Sequence, residues 1–141
     1  MEDPESSFSI YNQTIIVSLT KYYMKKVVLL LRVSTNSQDY EYQRSTLTDL
    51  CKRNSWQIVN TFENKVSGAK KNEEREEIVE LLDYIKNNEI DMVMATEVSR
   101  VGRNTLEALK TIEILNENKV NLYFSNYGIE TMWVGEMRGR T

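Results

Sequence analysis

Strands and helices alternate four times along this chain, and that alternation constrains the fold more than any other feature of the sequence. The first strand, residues 27–33, opens with five apolar residues in a row, which is typical of a strand buried on both faces. The elements predicted after it are a helix over 39–54, a strand over 56–62, a helix over 73–88, a strand over 92–96, a helix over 104–119 and a strand over 120–125. This order predicts an α/β fold of three layers, with a mainly parallel sheet of four or five strands flanked by helices.

The last predicted helix has a regular apolar stripe. Leu106, Leu109, Ile112 and Leu115 recur at helical spacing. Such spacing places side chains on one face of a helix, so we expect all four to face the sheet.

The length and composition of the chain exclude several classes of protein. The chain has 141 residues, which favours one domain, and no apolar run approaches the ~20 residues that a membrane helix needs. Cys51 is the single cysteine, so an internal disulfide is excluded and a reducing, cytoplasmic location is expected. The absence of histidine excludes His-based catalytic triads and His-ligated metal sites. We expect no metal, no cofactor and no membrane partner.

The charge balance argues against strong nonspecific binding to DNA. The net charge is −3, and residues 1–23 carry three acids and one base. These residues precede Met24 and are interpreted as an N-terminal extension, either non-native or disordered. The rest of the chain then holds 17 basic and 18 acidic residues, so any basic site must be local.

Polar residues cluster where three of the predicted strands end. Open parallel sheets bind ligands beyond the carboxyl ends of their strands. The three segments found there are Arg32-Val33-Ser34-Thr35 with Gln38 and Gln43, then Ser67-Gly68 with Arg75, then Ser99-Arg100-Val101-Gly102-Arg103-Asn104. One serine and four arginines therefore converge on one edge. Guanidinium groups match phosphate oxygens, and a hydroxyl among them predicts phosphoryl transfer.

Each of these signals alone has an ordinary structural explanation. A serine at a strand end is most often a helix cap or a turn residue, and Ser67-Gly68 is a turn. Arg100 and Arg103, however, stand at a helix start, where the helix dipole disfavours cations. That placement indicates a bound anion.

The same segments, in this order, resemble the catalytic domain of serine site-specific recombinases, the resolvase/invertase family. The resemblance covers about residues 27–131. It implies a metal-free transesterification that needs no cofactor. In that family a serine attacks a DNA phosphodiester, forms a 5′-phosphoserine link and frees a 3′-hydroxyl, so that strands can be exchanged and rejoined.

The resemblance also implies a role for each matching residue. Ser34 would be the nucleophile, and the phosphate would be bound by Arg32, Arg75, Arg100 and Arg103. The supporting polar residues would be Gln38 and Gln43. The loop over 64–72 would contact DNA through Lys70 and Lys71.

Two positions depart from the family pattern. Ser99 stands where many members have an aspartate, and Glu97, two residues earlier, is expected to substitute for it in part. Asn64, beside Glu63, stands where many members have an acid. These changes leave the groups that transfer protons unassigned.

The resemblance divides the chain into a catalytic domain over 24–131 and a truncated tail over 132–141. The tail is too short for the family's dimerisation helix and DNA-binding domain, so the chain alone is expected to be weakly active or inactive. The expected partners are DNA and, in a full-length protein, further copies that form a dimer or tetramer in the nucleoid.

Two alternatives remain at this point. The first is a fragment that cannot catalyse recombination and serves only as an interaction module. The second is a metal-dependent nuclease with the same fold, which would use Glu97, Asp91 or Glu63 as ligands.

Overall fold

Five strands and three α-helices follow one another in the computed structural model, counted over the residues that it describes, 24–32, 37–64 and 75–131. The strands are β1 (Lys26–Arg32), β2 (Gln57–Asn64), β3 (Met92–Ala95), β4 (Asn121–Phe124) and β5 (Ile129–Glu130). The helices are α1 (Ser37–Arg53), α2 (Glu76–Asn87) and α3 (Thr105–Glu117), and a 3₁₀ turn at Val98–Arg100 follows β3.

The strands form one sheet in the order β2-β1-β3-β4-β5. The first four are parallel, and β5 pairs antiparallel with β4. The predicted α/β fold with a mainly parallel sheet is confirmed, and five strands lie within the predicted four or five. Because β1 lies between two parallel neighbours, its carboxyl end opens at the edge where ligands bind in such sheets.

Successive side chains of β1 point to opposite faces of the sheet and contribute to one hydrophobic core on each face. Val27, Leu29 and Leu31 face α1, while Val28 and Leu30 face α2 and α3. The core under α1 is completed by Leu47, Cys51, Met92 and Met94. Three layers result, with α1 on one face and the other two described helices on the opposite face.

One prediction about α3 is wrong for two of its four residues. Leu106 and Leu109 are 63% and 56% exposed, and the residues of this helix that are buried against the sheet are Ala108, Thr111 and Leu115. The first half of the apolar stripe is therefore exposed, while Leu115 is buried and Ile112 packs against the core. Small residues are buried near the start of α3 because the preceding loop packs directly against the helix backbone there.

The start of α2 also differs from the prediction. The helix begins at Glu76, and Arg75 is its N-cap residue, in an extended conformation. Arg75 thus precedes the helix and does not lie within its first turn.

Several expectations fall on residues outside the described ranges, namely 1–23, 33–36, 65–74 and 132–141. They concern the N-terminal extension, the truncated tail, Ser34, the Ser67-Gly68 turn, Lys70 and Lys71. Within the described ranges, no helix combines the length and the apolar character needed to cross a membrane.

Candidate active site

All four predicted arginines lie near the carboxyl edge of the sheet. Arg32 is the last residue of β1, and Arg75 follows β2 as the cap of α2. Arg100 ends the 3₁₀ turn after β3, and Arg103 lies in the connection to α3. Three successive strand ends therefore supply these side chains, as the sequence predicts.

The end of β1 is held by the side-chain amide of Gln43. This residue of α1 is only 1% exposed. The backbone N–H of Arg32 donates to Gln43 Oε1 at 3.1 Å, and Gln43 Nε2 donates to the Arg32 carbonyl at 2.9 Å. Two-point pairing of this kind replaces the ladder bonds that the strand end lacks. Gln38, one helical turn earlier, is exposed.

Arg75 is buried, at 4% exposure, and is coupled electrostatically to the other arginines. Burial lowers the pKa of its guanidinium, and the nearby Glu77 carboxylate opposes that change. The positive charges of Arg32 and Arg103 lower the pKa further. Three of the four arginines therefore share one electrostatic neighbourhood.

A buried carboxylate stands beside Arg75. Glu77 accepts a hydrogen bond from Asn64 Nδ2 at 2.8 Å, and Asn64 lies opposite Arg32 in the register of β1 and β2. Burial raises the pKa of the Glu77 carboxyl, and the hydrogen bonds that it accepts and the charge of Arg75 oppose that increase. Sequence reasoning missed this residue, because an acid-rich first turn is typical of a solvated helix start.

The buried Glu77 carboxyl is expected to make stability depend on pH. Its pKa is raised in the folded protein, so the free energy of unfolding should fall as pH rises from the ordinary glutamate pKa of 4.5 through the raised value. Glu77→Gln should remove that decline. Urea unfolding of both proteins from about pH 4 to about pH 8 measures it. Glu76→Gln, at an exposed neighbouring position, is the control. If the free energy of unfolding of the wild type rose with pH relative to that of Glu77→Gln, the assignment would be contradicted.

Arg100 contacts two carboxylates. Its side chain is 9% exposed, and Nη2 lies 3.0 Å from Glu97 Oε1 and 3.6 Å from Asp39 Oδ2. Ser99 Oγ also donates to Glu97 Oε1, at 2.8 Å. The structure therefore brings together Ser99, Glu97 and Arg100. The buried Arg100 Nε has no hydrogen-bond partner in the described part of the chain.

Arg103 and the start of α3 are organised by Glu107. Asn104 caps the helix, since its side chain accepts from the Glu107 backbone N–H at 3.0 Å. The Glu107 carboxylate accepts from the Arg103 backbone N–H at 3.3 Å and lies 3.7 Å from Arg103 Nη2. The Arg103 side chain is exposed at the surface.

The loop between Arg100 and Arg103 packs tightly on α3. A Cβ atom at Gly102 would lie 2.3 Å from the backbone nitrogen of Ala108. Thr111 Oγ1 donates to the Val101 carbonyl and to the Glu107 carbonyl, both at 3.1 Å. The helix therefore fixes the loop that carries both arginines.

The carboxylates of the nuclease alternative do not gather at this edge. Asp91 precedes β3 at the opposite edge and accepts from the Lys26 backbone N–H at 2.7 Å. Glu63 accepts from the Tyr40 hydroxyl, and Glu97 contacts Arg100. Among the described residues, no three cysteine, aspartate or glutamate side chains are grouped as metal ligands.

Comparison with known families settles the relationship of this chain. The model of the resolvase N-terminal domain matches residues 27–136. The chain belongs to the resolvase family. This match includes the segments that hold Arg32, Arg75, Arg100 and Arg103.

Individual relatives agree with that membership. The transposon Tn2501 resolvase of Escherichia coli is 29% identical over 100 residues, which are 71% of this chain and 50% of that protein. The resolvase-family chain thus spans about half the length of this curated relative. The N-terminal catalytic domain of TP901-1 integrase aligns with a TM-score of 0.69 at 28% identity, over 81% of this chain and 88% of that one.

A second solved structure supports the fold. A resolvase family site-specific recombinase from Streptococcus pneumoniae aligns with a TM-score of 0.65 at 24% identity. The alignment covers 82% of this chain and 89% of that one. The arrangement of sheet and helices in this resolvase-family domain is therefore shared with solved members.

Proposed function

We propose that this resolvase-family domain is the catalytic domain of a serine recombinase, which cuts and rejoins DNA in site-specific recombination. The observation that carries the proposal is that three successive strand ends deliver Arg32, Arg75, Arg100 and Arg103 to one edge of the sheet. Guanidinium groups gathered at one sheet edge provide the positive charge and the planar donors that bind a phosphodiester anion. One named relative is the resolvase of a transposon and another is an integrase. We therefore expect this protein to belong to a mobile genetic element.

In the proposed reaction Ser34 is the nucleophile. Its Oγ attacks the phosphorus of a DNA phosphodiester, a serine O–P bond forms, and the bond from phosphorus to the 3′ oxygen breaks. The serine loses its proton and the 3′ oxygen gains one, which yields a 5′-phosphoserine and a free 3′-hydroxyl. The reverse reaction with another 3′-hydroxyl rejoins the strands without ATP.

The arginines stabilise the charge that the phosphate carries in the transition state. Fixed guanidinium groups are effective because they need no reorganisation as the charge develops. Arg32 acts from the end of β1, Arg75 from the start of α2 and Arg103 from the connection to α3. Arg100 acts from the 3₁₀ turn after β3, where Glu97 and Asp39 hold its guanidinium. Gln43 holds the strand end from which Ser34 follows.

The remaining features of the proposal concern the whole protein. Residues 24–131 are the catalytic domain, and Lys70 and Lys71 contact the DNA backbone. The active form is a dimer or tetramer, because strand exchange needs more than one active site across a recombination site. A chromosomal substrate implies a cytoplasmic location, next to the nucleoid.

Trapping a covalent intermediate tests the proposal. A full-length version, with the dimerisation helix and DNA-binding domain that the family resemblance implies, is incubated with an end-labelled duplex that carries a nick beside the recombination sequence. A short strand then diffuses away after cleavage and cannot be rejoined. We expect a labelled protein–DNA adduct on a denaturing gel, in the presence of a metal chelator. The 3′ end of the released strand should accept nucleotides from a template-independent terminal transferase, as a free 3′-hydroxyl allows.

Other outcomes point to the alternatives. Cleavage without an adduct that stops when chelator is added indicates a metal-dependent nuclease. Intact DNA under every condition, with stable association of the chain with another protein, indicates an interaction module. Either result would overturn the proposed function.

The 141-residue chain is expected to bind duplex DNA weakly. Outside residues 1–23 it holds 17 basic and 18 acidic residues, so attraction to phosphate depends on a few local cations. A gel-shift titration at physiological salt should give a Kd of about 10⁻⁴ M or weaker, at or beyond the weak end of nonspecific binding. Sub-micromolar binding would show that the charge argument misses a contact surface.

A further inference from the structure

We propose that Asp39 is a positioning residue for this active site, because its carboxylate joins Arg100 to the strand end that carries Arg32. The inference rests on the proposed function. Asp39 is not among the residues that the family resemblance implicates. It lies in the first turn of α1, and its side chain is 37% exposed.

The first half of the link runs from Asp39 to β1. Asp39 and Gln43 are four residues apart on α1, so their side chains lie on one face of the helix. Gln43 Nε2 donates to Asp39 Oδ2 at 3.1 Å, and the same side-chain amide makes both bonds to the backbone of Arg32. The carboxylate therefore fixes the orientation of the amide that holds the strand end.

The second half of the link runs from Asp39 to Arg100. The same oxygen, Oδ2, lies 3.6 Å from Arg100 Nη2. Glu97 is also close to Arg100, but it is three residues away on the same segment and moves with it. Asp39 belongs to a different element, α1, which packs on one face of the sheet. It is therefore the carboxylate that ties the 3₁₀ turn to α1 and, through Gln43, to β1.

This geometry predicts that loss of Asp39 affects the rate of catalysis and the affinity for DNA differently. Loss of Asp39 frees Arg100 to move relative to Arg32, and small misplacements of a catalytic group cost large factors in rate. The same change removes a negative charge beside the DNA phosphate. We therefore expect Asp39→Ala to slow adduct formation by about 10- to 100-fold while DNA binding stays unchanged or becomes tighter.

A double-mutant cycle separates positioning from general loss of structure. If Asp39 acts through Arg100, adding Asp39→Ala to Arg100→Ala should slow adduct formation by less than about twofold. Asp49→Asn is the matched control, because it removes one acid from an exposed position of the same helix and should leave the rate unchanged. An equal loss from Asp39→Ala in both backgrounds would refute the positioning role.

A spectroscopic measurement tests the link without relying on activity. In isotope-labelled protein, the Arg100 Nε–H signal should shift in Asp39→Ala, and its proton should exchange about tenfold faster with water as the buried side chain loses a partner. Asp49→Asn should leave the signal in place. An unchanged Arg100 signal in Asp39→Ala overturns the inference, whatever the rate does. A shifted signal in a protein that forms no adduct supports the link and rejects the proposed function instead.

Discussion

Ser34→Ala is expected to abolish the covalent protein–DNA adduct and to leave the fold intact. Alanine has no oxygen to bond to phosphorus, so the phosphoserine cannot form, and the rate should fall by at least ~10³-fold. The variant should still bind DNA, since the arginines that contact the phosphate are unchanged. The measurement is adduct formation on the nicked duplex, together with thermal unfolding.

Ser45→Ala provides the matched comparison. Ser45 lies on α1 and donates its hydroxyl to the Tyr42 carbonyl, at an exposed position away from the sheet edge. It should form adduct at the wild-type rate. A phosphoserine adduct that persists in Ser34→Ala would mean that another hydroxyl is the nucleophile, and peptide mapping of the adduct would then identify it.

Gly102→Ala is expected to damage both stability and catalysis. The new Cβ would lie 2.3 Å from the nitrogen and 2.6 Å from the Cα of Ala108, so the loop or α3 must shift. Overpacking of this kind costs about 1–3 kcal/mol. Because the loop carries both Arg100 and Arg103, adduct formation should fall by about 10²-fold. Urea unfolding and the nicked-duplex assay measure the two effects.

Gly128→Ala separates lack of space from backbone conformation. Among the described residues, apart from its two chain neighbours, no atom lies within 4 Å of a Cβ placed there. However, φ is +63°, which alanine adopts at a cost of about 1–2 kcal/mol. This variant should lose stability and retain the rate of adduct formation. If both glycine variants lose the rate equally, the loop at Gly102 has no special part in holding the arginines.

The positions of the arginines could be predicted because they follow from the order of strands. A buried apolar run that ends in Arg32 and a second that leads to Arg100 place both residues at one edge of a parallel sheet. Gln43 could be predicted only through the family resemblance, since its partner is the backbone of Arg32, and sequence carries no pattern for such a contact.

The rotation of α3 could not be read from its apolar stripe. Leu106 and Leu109 have helical spacing but are exposed, because the approach of Gly102 to Ala108 decides which face of the helix packs. A contact between backbone atoms leaves no hydrophobic signal. The spacing of apolar residues predicts that the helix exists, but the close packing of Gly102 on Ala108 determines which of its faces contacts the sheet.

The carboxylates Asp39 and Glu77 were also beyond sequence reasoning. Both lie in the first turn of a helix, where acids favour the dipole whether or not they touch anything else. What distinguishes them is a neighbour that is distant along the chain, Arg100 for Asp39 and Asn64 for Glu77. Only the fold brings those partners together.

The pairing of Gln43 with Arg32 joins a neutral amide to a peptide group, and this has a consequence for ionic strength. Salt screens contacts between exposed charges and has little effect on buried bonds between neutral groups. High salt should therefore release the DNA from the protein. The hydrogen bonds between Gln43 and the Arg32 backbone should remain, so the end of β1 should keep its conformation. Protein released from DNA in concentrated salt should form the adduct at its full rate as soon as the salt is diluted, with no delay for refolding.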